Sequence, residues 1–127
     1  MLLRDEQEDE EIHYACIRYL GKYPLGEAYP VLLDLVKKEK ERPWQYAAIA
    51  ASALASYPGE KTVEALKEKL YSQNWYIRLN ASKSLEILGL GYSDLIDILD
   101  GSDRYAREIL LYRFDKRKAN EKEAVEA

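Results

Sequence analysis

Cysteine, histidine and phenylalanine each occur once in this chain, and that scarcity closes several routes at the outset. A lone Cys16 can form no intramolecular disulfide and cannot supply a multi-cysteine metal site, which suits a reducing compartment. A lone His13, with no cysteine cluster to join, is expected to be structural rather than a metal ligand. No run of about 18 apolar residues is present, so no membrane span is expected. The opening MLLRDEQEDEE is too short and too acidic for a secretory signal, and a cytoplasmic location is expected. No Gly-rich phosphate loop, Gly-x-Ser-x-Gly elbow or His-Glu-x-x-His pair occurs. No catalytic residue, cofactor or metal is therefore expected. No segment alternates with period two, and no Asn-Gly or Asp-Gly turn joins two β-rich runs, which predicts an all-α chain.

What is present is helical. The 127 residues suffice for one domain, and 47% hydrophobic content argues against wholesale disorder. Seven helices are expected. The first spans 5–22, with its stripe on Ile12, Cys16, Ile17 and Leu20. The second runs from about Gly26 to Lys40 with Tyr29, Leu32, Leu33 and Val36 inward, and the run KKEKER ends it in solvent. The third, Trp44 to Ser56, has an unusually small middle, AAIAASALA, which permits close helix approach. The fourth, Glu60 to Tyr71, turns Val63, Leu66 and Leu70 inward and Lys67 and Lys69 outward. The fifth, NWYIRLNASKSLEILG from Asn74 to Gly89, has an Asn cap, a glycine stop and Ile77, Ala81, Leu85 and Leu88 inward. Ser93 is expected to cap a short sixth helix, Asp94 to Leu99. Ser102 or Asp103 caps a seventh, running to about Lys118. Residues 1–118 form one domain, and 119–127 form a charged tail expected to fray.

The helices repeat. Trp44, Ala50, Leu54 and Tyr57 sit 31 residues before Trp75, Ala81, Leu85 and Leu88, and Cys16, Leu20 and Tyr23 fall 34 before Ala50, Leu54 and Tyr57. Tyr105, Arg107, Leu110 and Phe114 fall 29 after Tyr76, Arg78, Ala81 and Leu85. Two helices per period of about 30 residues is the mark of an α-solenoid. The segment Asn74 to Leu85, with its polar cap, Ile77-Arg78 pair, small Ala81 and then Leu85, resembles the second helix of the HEAT-repeat family in the compact form common in bacteria. Ala106-Arg107 repeats the aliphatic-Arg pair less closely. A tetratricopeptide array would want 34 residues throughout and other Trp, Gly and Pro positions.

The resemblance implies a right-handed superhelix of antiparallel helix pairs, armadillo-like in shape, whose second helices line a concave face. Such proteins are mostly scaffolds and adaptors. Arg78 and Arg107 are expected to be structural between repeats, bonding carboxylates or helix-terminal carbonyls. Ala47 and His13 stand at the arginine position of the earlier units, so a polar ladder is expected only in the C-terminal half. Cys16, at a small-residue position, is expected to be buried and inert.

Function then rests on the surface. Eleven tyrosines against one phenylalanine suit helix edges and recognition surfaces alike. With apolar stripes turned inward, the second helices expose Glu11, Tyr14 and Arg18; Gln45, Ala48 and Ser52; Tyr76, Leu79 and Lys83; Tyr105, Glu108 and Tyr112. The expected partner-binding residues are Tyr14, Arg18, Tyr76, Leu79, Lys83, Tyr105 and Tyr112, gripping a protein segment, in a monomer or weak dimer. A net charge of −4 weighs against nucleic acid, and no membrane partner is expected of this chain. The resemblance leaves open a bilin lyase or isomerase, a DNA glycosylase, and a regulatory subunit tethered to a membrane enzyme.

Overall fold

Local capping chemistry sets where the three C-terminal helices start. A computed structural model describes residues 6–114, with side chains from Glu10 onward. The helices are α1 (Glu6–Lys22), α2 (Tyr29–Lys37), α3 (Trp44–Ala53), α4 (Glu60–Lys69), α5 (Trp75–Ile87), α6 (Tyr92–Leu99) and α7 (residues 104–114). Single 3-10 turns, Gly26–Ala28 and Leu54–Ser56, lead into α2 and continue α3. Among the described residues there is no strand, and the fold is all-α. The end of the seventh predicted helix and the tail 119–127 lie outside the described residues.

Asn74 accepts hydrogen bonds from the N–H groups of Tyr76 (2.9 Å) and Ile77 (3.1 Å), satisfying two of the donors a helix start leaves unpaired. Asp103 does the same for Tyr105 and Ala106 at the head of α7. At the other end of α5, Gly89 takes φ 95°. The Leu90 N–H then reaches Leu85 O at 3.0 Å and the Gly89 N–H reaches Glu86 O at 2.9 Å, which is a Schellman closure. The sixth helix starts earlier than predicted. Its cap is Gly91, whose N–H donates to Asp94 Oδ2 at 2.8 Å, and Ser93 lies inside the helix. The second helix is shorter than predicted, ending at Lys37.

α3 occupies the middle, packing against α1, α2 and α5, while α4 packs against α5 and α2. The odd-numbered helices α1, α3 and α5 thus form one row, and α2 and α4 form a second against it. This central position accounts for the composition of α3. Ala47, Ala48, Ala50, Ala51 and Ala53 are all buried, and larger side chains would hold the neighbours apart. The core between the rows is filled by Leu32, Val36, Leu54, Leu66, Leu70, Ala81 and Leu85. Each buried leucine contributes about 2–3 kcal/mol of apolar transfer. α7 closes the row with Ala106, Ile109 and Leu110 in the same core.

Several contacts between helices fall at similar chain separations. Asn80 Nδ2 donates to Ala48 O and Ser84 Oγ to Ala51 O, both at 2.7 Å. Tyr29 Oη meets Thr62 Oγ1 at 2.6 Å, and Arg78 bonds Glu108 at 2.6 Å. All four link residues 30–33 apart.

Three expectations are corrected. Polar cross-links are not confined to the C-terminal half. His13 Nδ1 meets Tyr46 Oη at 2.7 Å, Tyr57 Oη donates to Leu20 O at 2.9 Å, and Ser56 Oγ donates to Gly21 O. Tyrosine, serine and histidine serve there instead of arginine. Lys69 does not point freely outward, and Glu39 of the charged run is not fully solvated. Lys69 Nζ and Ser72 Oγ each lie 2.8 Å from a Glu39 oxygen in a mostly buried cluster. Finally, α1 is rotated from its predicted stripe. Tyr14 and Ile17 face α3, Ile12 is exposed, and Cys16 is only half-buried. α1 is the first of the row, so its outer side has no described neighbour to cover it.

Candidate functional site

The helical phase of the row decides which side chains share its open face. On α1 the exposed arc runs through Glu11, Ala15, Arg18 and Lys22, positions three or four apart. On α3 it runs through Trp44 and Ser52, with Gln45 and Ile49 half-buried beside them, and on α5 through Tyr76, Lys83 and Ile87, with Leu79 and Asn80 half-buried beside them.

Tyr14 does not belong to this arc. It is 7% exposed, its ring edge-on to Tyr46 at 5.0 Å. An α3 made mostly of alanine leaves space against α1 that a large ring fills, so Tyr14 turns toward it. Burial, together with Glu10, Tyr46 and Glu11, raises the Tyr14 hydroxyl above its ordinary pKa. Ala48 is also buried, against Ile77. Tyr105 is half-buried and held in place. Its ring lies under the Arg78 guanidinium at 5.0 Å, and Arg104 donates to its hydroxyl at 2.8 Å. Tyr112 is 41% exposed and sets its ring against Trp75 at 5.2 Å.

Arg78 is 3% exposed. Its Nη1 donates to Ser72 O at 2.8 Å and its Nη2 to Glu108 at 2.6 Å, and the Trp75 ring covers it at 5.4 Å. Its Nε is buried without a hydrogen-bond partner. Arg107 Nε donates to Leu99 O, the end of α6, at 3.1 Å. Both arginines are thus tied to neighbouring helices.

Two features of the open face were not singled out from the sequence. The first is a stacked aromatic pair. Trp44 and Tyr76 lie nearly parallel, 5.2 Å apart and 16° from coplanar, yet Trp44 is 39% and Tyr76 57% exposed. The sequence overlay aligns Trp44 with Trp75, its equivalent one unit on, whereas contact is made with the next residue. A signal was available, since residues 32 apart are where other cross-row contacts fall.

The second is a groove of about 510 Å³ crossing α1, α3 and α5. Gly21, Ala53 and Ile49 form its floor, and Arg18, Lys22, Ser52 and Asn80 stand around it. α1 and α3 approach closely at its base, since a Cβ on Gly21 would lie 2.9 Å from Ala53 Cα. Lys22, four residues after Arg18, could have been found by the spacing rule that found Arg18. A shallower, almost wholly apolar depression lies on the outer side of α1, around Ile12, Cys16 and Tyr19.

Among the described residues there is no group of three or more His, Cys, Asp or Glu positioned to hold a metal ion, and no helix long and apolar enough to cross a membrane. No family model, curated protein or solved structure matches the chain.

Proposed function

We propose that this protein is a non-enzymatic interaction module, a HEAT-like α-solenoid whose odd-numbered helices grip a segment of a partner protein. The solenoid reading is supported by the two rows and by cross-links recurring at 30–33 residues. The observation that carries the binding reading is the Trp44–Tyr76 stack left open to solvent on the row of helices that also carries the groove. Two large rings already ordered against each other lose little rotamer freedom when a partner covers them, and Trp and Tyr dominate interface energetics for that reason. The same face of the row exposes Arg18 and Lys83, with Leu79 half-buried, so it offers apolar and charged groups together.

The test is selection of binding peptides from a random display library against the full chain. Selected peptides should bind the Trp44→Ala, Tyr76→Ala double variant at least about tenfold more weakly. They should bind Val31→Ala, changed at an exposed residue of α2, as tightly as the unmodified chain. Full affinity for the double variant would overturn the reading.

A further inference from the structure

We infer that the groove selects an acidic segment, seating an Asp or Glu side chain between Arg18 and Lys22 while a neighbouring apolar or aromatic residue of the same segment packs on the Trp44–Tyr76 stack. This rests on the partner-binding reading above and names the partner's chemistry.

Charge is the first support. The chain carries a net −4, yet the groove has Arg18 and Lys22 at its edge and no carboxylate in its lining. The row's other carboxylates are engaged or distant. Glu86 pairs with Arg113 and Glu108 with Arg78. Glu11 lies seven residues before Arg18, about 10 Å along the helix. α3 carries no charged residue from Trp44 to Ala53. Among the described residues, neither Arg18 nor Lys22 has a carboxylate within ion-pair distance.

Shape is the second. The half-buried Ile49 lines the groove and lies on α3 between Trp44 and Ser52 in the chain. Asn80 spends one N–H on Ala48 O, leaving its other amide hydrogen and its carbonyl oxygen for a peptide backbone. Trp44 and Ser52 are eight residues apart on α3, about 12 Å. An extended segment covers that in roughly four residues. Arg18 and Lys22 stand one helix further across the row, about 8–10 Å away, so the favoured partner carries its carboxylate about four to five residues from its apolar anchor. A nucleic acid fits less well, since two cations over an apolar floor offer little to a continuous phosphate backbone and the chain as a whole is acidic. The plainer role of Lys22, complementing the α1 C-terminus, needs neither Arg18 nor a groove.

The experiment titrates the isotope-labelled full chain with three probes and follows its amide resonances. The probes are the capped peptide Trp-Ala-Ser-Ala-Glu, the same peptide ending in Gln, and an oligothymidylate. The Glu peptide should shift the amides of Arg18, Lys22, Ile49 and Ser52. It should bind roughly tenfold more tightly than the Gln peptide. It should lose that advantage in Arg18→Gln, Lys22→Gln protein and at high ionic strength. The amide spectrum of the free variant reports that it is folded. Equal binding of the two peptides at this face would overturn the carboxylate assignment and leave the face reading standing. Tighter binding by the oligonucleotide at the same amides would overturn it in favour of phosphate. No response to either peptide would overturn it as well, and the display selection would then decide the face reading alone.

Discussion

Replacing Gly21 by alanine should destabilise the protein, although alanine is the better helix former. Gly21 lies in the last turn of α1, where the propensity gain is at most about 1 kcal/mol. Against it stands a steric conflict. The added Cβ would lie 2.9 Å from Ala53 Cα and 3.1 Å from Ala53 Cβ, whereas carbon atoms in contact prefer about 3.5–4.0 Å. Neither atom of Ala53 can rotate away, so α1 and α3 must part by several tenths of an ångström or more. Overpacking of this kind costs about 1–3 kcal/mol. The same movement stretches the bonds that Ser56 and Tyr57 make to Gly21 O and Leu20 O, worth about 1 kcal/mol each when lost. The expected net loss is about 1–3 kcal/mol, read from urea unfolding followed by circular dichroism. Ala53→Gly alone should cost roughly 0.5–1 kcal/mol. Ala53→Gly removes the 3.1 Å contact but leaves the 2.9 Å contact to Cα, so the double variant should recover only part of the loss, with a coupling below about 1 kcal/mol. A Gly21→Ala protein as stable as the original would refute the claim that small residues hold this row together.

The remaining predictions concern single positions. Gly89→Ala should cost about 1 kcal/mol because φ 95° strains any side chain, while Gly26→Ala, with open space around it, should be near neutral; thermal unfolding compares them. Asn74→Ala should lose about 1 kcal/mol with its two cap bonds, by the same assay. Arg78→Ala should cost about 2–4 kcal/mol, since it removes a packed, buried side chain, while Glu108→Gln should cost under about 1 kcal/mol because that carboxylate is largely exposed and screened. For Tyr14 the folded pKa lies above the ordinary 10.0, so the unfolded chain gives up this proton first. Its contribution is whole below that pH and lost as pH rises through the folded pKa. Unfolding between about pH 8 and pH 11 should therefore show Tyr14→Phe gaining on the original only at the alkaline end. A difference independent of pH would contradict this.

The legible parts of the fold were those where local chemistry and burial agree. Asn74, Gly89 and the Ile77-Ala81-Leu85 stripe act within one helix or face a neighbour on every side, and periodicity locates them. Tyr14 was placed on the open face because phase alone cannot tell which flank of a helix receives the next one. That depended on α3 being small enough to leave space for a ring. The pairing of Glu39 with Lys69 joins a turn to a distant helix, and a charge run carries no mark of which member will be buried. Of the candidate site, Arg18, Tyr76 and Lys83 were legible from helical phase. The Trp44–Tyr76 stack and the Gly21 groove depend on how far apart the helices lie, and no single helix encodes that.

The most direct measurement of the binding account uses Trp44 as the reporter. The chain has two tryptophans, so Trp75→Phe leaves Trp44 alone, partly open to water. Saturation with a display-selected peptide should move its emission to shorter wavelength and shield it from acrylamide quenching. Emission and quenching unchanged at saturation would mean that the partner binds elsewhere, and the face of the odd-numbered helices would lose its assigned role.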